Sequence, residues 1–238
     1  MRHALELFLF QIYPYIALTV FFFGCLLRFD RDQYTWKSDS SQLLRAGQLR
    51  WGSNLFHIGI LGIFAGHFVG MLTPHALYEP FVTAGQKQVL AVTAGGLFGV
   101  VLLAGLLILI HRRLSDPRIR HNSRKSDIFV LFLLLAQVCL GLSTLHASMQ
   151  HANGSAMLLL TDGAQRIVTF RPVDPGILSQ IPWQIKTHIV LGTTIFLVFP
   201  FTRFVHVWSG FASVFYMLRA PQVVRSRKLG VMEKRKQA

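Results

Sequence analysis

Four histidines lie inside apolar stretches where an ionisable side chain is rare: His57, His67, His188 and His206. A polar residue at such a depth marks a functional site unless a neighbour satisfies it. Ten residues separate the first two and eighteen the second two. Imidazole is a good iron ligand, and two imidazoles on opposite sides of an iron are the axial ligands of a low-spin b haem. Such a haem carries electrons, because no open position is left for oxygen. The chemistry open to four histidines on two membrane helices is therefore electron transfer through two b haems. The bland alternative, four polar residues bridging helices, accounts less well for four at matched levels. The remaining histidines (His3, His75, His111, His121, His146 and His151) fall at span ends or in loops and read as interfacial residues.

The elements that must position these residues are apolar spans. Of the 238 residues 52% are hydrophobic and only 14% charged, and Phe contributes 20. Soluble domains carry about 25% charged residues. Stretches long enough to cross a hydrocarbon core fall at about 5–27, 55–72, 89–110, 128–145 and 185–208. The fold class expected is all-α, a single membrane domain of five transmembrane helices over 1–238. The first span has no small-residue cleavage pattern and reads as a retained helix. Cys25 and Cys139 lie within apolar stretches without a CxxC pattern, so they read as small buried hydrophobes.

The net charge of +14 sits outside the spans. This excludes a nucleic-acid-binding reading and points to the positive-inside rule. Loops 28–52 and 111–126 and the basic tail 209–238 carry eighteen Lys and Arg, against five on the other side. The N-terminus is expected outside and the C-terminus in the cytoplasm. His57 and His206 then fall at an inner level, and His67 and His188 at an outer level. Ten helical residues rise about 15 Å and eighteen about 27 Å. The pairing thus asks for tilt, or for a bend at Pro200. Gly59, Gly62, Gly66 and Gly70 permit close approach of a helix or of a haem plane. Arg203, one turn before His206, is placed to pair a haem propionate. The basic inner face suits anionic lipid. Loop 28–52, with Tyr34 and Trp36, is the expected docking surface for soluble partners.

Four stretches carry a more specific resemblance: IYPYIA near the start, QYTWKSDSSQ after the first span, NLFHIGILGIFAGHFVGMLTPH at 54–75, and HIVLGTTIFLVFPFTRFVHVW at 188–208. Together they resemble the gamma subunit of membrane-bound respiratory nitrate reductase, over nearly the whole chain. The resemblance implies a membrane-anchoring di-haem cytochrome b subunit in the bacterial inner membrane. Its partners would be an iron–sulfur beta subunit and a molybdenum-cofactor alpha subunit at the cytoplasmic face. It implies His67 and His188 as ligands of the outer haem, and His57 and His206 as ligands of the inner haem. It also implies a quinol site, for menaquinol or ubiquinol, at Lys87 and His67, with Gly66 leaving room for the ring. Two rivals stand beside it. One is a cytochrome b anchor of another quinone-linked reductase, of heterodisulfide or sulfite type. The other is a transporter using histidines as proton relays.

Overall fold

The computed structural model describes residues 2–32, 36, 44–149 and 154–209. The expectations placed on Tyr34, Lys37, His151, the side chain of His3 and the tail beyond Ser209 lie outside the described residues. Five helices among the described residues are long and apolar enough to cross a membrane. They are α1 (Ala4–Arg31), α2 (Ala46–Leu72), α4 (Ala84–Ser115), α6 (Lys125–Met149) and α9, which covers Trp183–Val198. Between them lie the short α3 (His75–Tyr78) and α5 (Pro117–His121), the amphipathic α7 (Ser155–Val168) and the short α8 (Pro175–Gln180). The protein is all-α and multi-pass. Its outer surface is that of a lipid-embedded bundle: Phe22, Phe23, Leu61 and Phe68 are all exposed, and only 6% of the most apolar stretch of α2 is buried. Such a surface is unfavourable in water and suits hydrocarbon.

Neighbours follow the order α2, α4, α6, α9, α1, and α7 lies across α2 and α4. The core between α4 and α6 is built from Leu102, Leu106, Ile110, Val130, Leu134 and Val138. The tightest packing joins α2 to α4, and glycines permit it. A Cβ on Gly59 would lie 2.5 Å from the backbone nitrogen of Leu102, and one on Gly105 would overlap the backbone nitrogen of Phe56. Without a hydrophobic driving force in lipid, such backbone approach is a main source of helix affinity. The small-residue ridge expected at Gly62, Gly66 and Gly70 is thus displaced. Gly59 and Gly62 press on α4, whereas a Cβ on Gly66 would meet nothing within 4 Å. Because the obstruction at Gly105 is backbone, Gly105→Leu is expected to part α2 from α4. Overpacking costs about 1–3 kcal/mol and sometimes more. A lowered thermal midpoint in detergent checks this; an unchanged midpoint would contradict the contact.

The fifth span is not one continuous helix. It ends at Val198, and a 3-10 turn at Phe199–Phe201, an extended Thr202 and a second 3-10 turn at Arg203–Val205 carry the chain to His206. Pro200 lacks the N–H that a helix needs and blocks continuation. The carbonyls it frees are met from α1, where Arg28 Nη1 donates to Pro200 O at 2.6 Å and Thr202 O at 2.8 Å. Gly24 of α1 makes room, since a Cβ there would lie 2.8 Å from the Pro200 ring. Eighteen residues at helical rise therefore no longer measure the distance from His188 to His206.

Candidate functional site

The structure brings His67 and His188 directly together and leaves His57 and His206 within electrostatic reach of each other. The His67 and His188 rings face one another with centres 6.2 Å apart and planes at 40°. His206 lies within direct electrostatic range of His57. The main packing partners of α2 and α9 are not each other but α4 for the first, and α6 and α1 for the second.

Local hydrogen bonds decide which ring nitrogen is free. His57 Nδ1 lies 2.7 Å from Ser53 O, His67 Nδ1 2.9 Å from Ile63 O and His206 Nδ1 2.6 Å from Arg203 O. A carbonyl only accepts, so each Nδ1 carries the proton. The lone pair is left on Nε2. A backbone carbonyl on the second nitrogen is the usual support of a metal-bound imidazole, since it fixes tautomer and orientation. His188 differs. Its Nδ1 is buried without a partner, and Gln137 Nε2 lies 3.5 Å from its Nε2 while donating to its carbonyl at 3.2 Å. Gly141 admits the ring, because a Cβ there would lie 3.0 Å from His188 Cε1.

These features fit b haem. Two imidazoles on one metal, each bonded at about 2 Å, bring their ring centres about 6 Å apart, close to the His67–His188 separation. Three of the four present an unprotonated Nε2, and the open side of Gly66 lies next to His67. Among the described residues no three His, Cys, Asp or Glu gather tightly enough to hold a bare metal ion. Paired histidines are the ligand set the chain offers. Arg203 supports His206 through its carbonyl and lies within electrostatic range of Arg113.

Lys87 stands apart from the haem pairs, in the first turn of α4. Its place is set by a capping box: Thr83 Oγ1 accepts from Gln86 N at 3.2 Å, and Gln86 Oε1 accepts from Thr83 N at 3.0 Å. The Lys87 ammonium sits 3.6 Å over the Tyr78 ring of α3. Both Lys87 Nζ and Tyr78 Oη are shielded from solvent without a hydrogen-bond partner. Burial pushes the Tyr78 phenol up, with the nearby Glu79 carboxylate adding to the effect. Two shielded polar heads without hydrogen-bond partners are costly unless a ligand satisfies them.

Residues 6–227 match the family described as nitrate reductase gamma subunit. The chain belongs to that family. It is 50% identical over 225 residues to the respiratory nitrate reductase 2 gamma chain of Escherichia coli strain K12, covering 94% of this chain and 98% of that one. It is 48% identical to the respiratory nitrate reductase 1 gamma chain of the same strain, again covering 94% and 98%. It is 37% identical to the nitrate reductase gamma chain of Bacillus subtilis strain 168, covering 92% and 97%. A gamma subunit is by that description one chain of a multi-subunit nitrate reductase, an oxidoreductase. The family resemblance drawn from the four sequence stretches is therefore correct.

Sequence reasoning passed over Gln137 and Tyr78. Gln137 was findable as an uncharged polar residue inside an apolar span. Tyr78 carried no such signal, because tyrosine is ordinary at a membrane interface.

Proposed function

We propose that this gamma subunit is the membrane-anchoring di-haem cytochrome b of a respiratory nitrate reductase. It oxidises quinol, menaquinol or ubiquinol, on the outer side of a bacterial inner membrane. The electrons go to an iron–sulfur beta subunit and on to a molybdenum-cofactor alpha subunit, where nitrate is reduced. The observation that carries this reading is the His67–His188 pair, its ring centres 6.2 Å apart on two different membrane-spanning helices. The lysine and arginine asymmetry supports an outward N-terminus and a cytoplasmic C-terminal face. It also supports an outer level for this pair.

His67 and His188 would hold the outer haem, and His57 and His206 the inner one, with Arg203 beside the inner propionates. When bound, the haems supply one-electron transfer between the two membrane levels. The chain's own contribution is to orient the imidazoles through Ser53, Ile63 and Arg203 carbonyls. It would also receive the quinol. Lys87 would donate to a quinol oxygen and stabilise the negative charge that develops as its proton leaves. Tyr78 holds that ammonium in a fixed place at the cost of part of its hydration. Gly66 leaves the ring side of His67 open.

Reduced-minus-oxidised spectra of membranes holding the complex, taken through a redox titration, test the reading. Two b-haem components reducible by quinol are expected. Absence of haem absorption would reject it.

A further inference from the structure

Oxidising a quinol releases two protons as well as two electrons, and the haem pairs account only for the electrons. Beside Lys87 lies a group suited to the protons. His75 and Glu79, on and just after α3, are in hydrogen-bond contact, with Nδ1 3.1 Å from a carboxylate oxygen. The His75 ring meets the Tyr78 ring edge-on, with centres 5.0 Å apart, and the other face of the contact chain is Lys87 over Tyr78. Glu79, His75, Tyr78 and Lys87 are thus continuous, from an exposed carboxylate to a buried ammonium. A carboxylate on Nδ1 holds that proton in place and leaves Nε2 as the basic nitrogen, as in other carboxylate–histidine pairs.

We propose that His75, backed by Glu79, is the proton acceptor of the quinol site and its exit to the outer aqueous phase. The inference rests on the quinol-oxidising reading. In each half of the reaction a quinol O–H bond breaks and an N–H bond forms on His75 Nε2. The electron would pass to the one-electron carrier that His67 and His188 would hold, which must hand it on before the second half. The imidazolium then gives its proton to outside water, and the second half, with the second electron and proton, leaves the quinone. Glu79 stabilises the imidazolium between steps. The half-exposed setting of His75, against the buried heads of Tyr78 and Lys87, gives the proton a way out. On the packed side, Gln165 of α7 donates to Met71 O and Thr73 O and fixes the turn before α3. Asp162 and Arg166, the charged groups of α7 on either side of Gln165 in sequence, are paired with each other at 2.7 Å.

The test uses the full complex in membranes and two readouts. One is single-turnover haem reduction by quinol across pH; the other is binding of a quinone-analogue inhibitor, read from its shift of the haem spectrum. For His75→Ala, haem reduction is expected to slow by about 10²-fold, the range of a lost general base. The acid limb of the pH–rate profile should disappear, and added imidazole should restore part of the rate. Inhibitor binding should stay within about twofold. Glu79→Gln should slow reduction by a smaller factor. An unchanged rate and acid limb in His75→Ala would overturn the proposal. So would loss of inhibitor binding, which would make His75 a structural or binding residue. If quinol fails to reduce the haems of the unsubstituted complex, the quinol reading itself falls.

Discussion

Replacing His67 with leucine is expected to remove one of two b-haem components and leave the other titrating as before. The reason is local. His67 is exposed on α2, and its recorded hydrogen bond is to Ile63 O of its own helix. That bond ties it to no neighbouring helix, so its removal breaks no hydrogen bond between helices. A leucine on a lipid-exposed helix carries little cost. Its one expected consequence is the loss of an axial ligand from the pair with His188. On the proposed path, in which electrons enter at the outer haem, quinol should then fail to reduce the inner one at a useful rate. His57→Leu should remove the complementary component by the same logic, because Ser53 lies on its own helix. Redox-resolved spectra of the two variants distinguish the outcomes. If both components vanish in each, the four histidines form one cooperative structure rather than two sites. If neither vanishes, they are not the ligands.

The pairing of His67 with His188 was legible in the sequence because two quantities suffice for it. Membrane depth follows from position within an apolar stretch, and direction follows from the charge asymmetry. The structure sets those two rings 6.2 Å apart with their planes tilted by 40°. The course of the chain to His206 was not legible. Pro200 signalled a bend, but the double 3-10 turn depends on Arg28, a residue of α1 more than 170 positions away, reaching Pro200 O and Thr202 O. Nothing local to 199–205 announces that contact. The glycine ridge failed for a related reason. Spacing alone marks which glycines share a face, and the neighbour's shape decides which of them is pressed. Gly105 of α4 enters between Gly52 O and Phe56 N, so the close approach centres on Gly59 and not on Gly66. The start of α4 was within reach, since Thr83-x-x-Gln86 is a capping signature. Counting apolar residues alone delays that helix to Val89 and leaves Lys87 in a loop. The amphipathic α7 falls between the apolar stretches at 128–145 and 185–208, where counting apolar residues finds no span.

Lys87→Ala is expected to lower quinol oxidation by about 10²–10³-fold, the range for removing one donor aimed at developing negative charge, with both haem components intact. Lys87 lies in the first turn of α4 and its ammonium rests on Tyr78 at 3.6 Å, without a hydrogen-bond partner. A lysine serving only to anchor a helix end would extend its ammonium into water. This one is turned inward over an aromatic face, where hydration is reduced and any acceptor that arrives is bound more strongly. The alanine variant keeps the capping box, so α4 should start at the same residue and the haems should be unaffected. Lys87→Arg is the sharper comparison. It keeps the charge and the aromatic contact, but a planar guanidinium presents its donors in a different place from a compact ammonium. If positioned donation to one oxygen is what matters, arginine should restore inhibitor binding more fully than turnover. If charge alone matters, arginine should restore both. Turnover measured with a soluble dye donor that bypasses the membrane subunit serves as the internal control, and it should be the same in all three proteins. Unchanged quinol turnover in Lys87→Ala would remove Lys87 from the site and leave the paired histidines as the only part of the mechanism still standing.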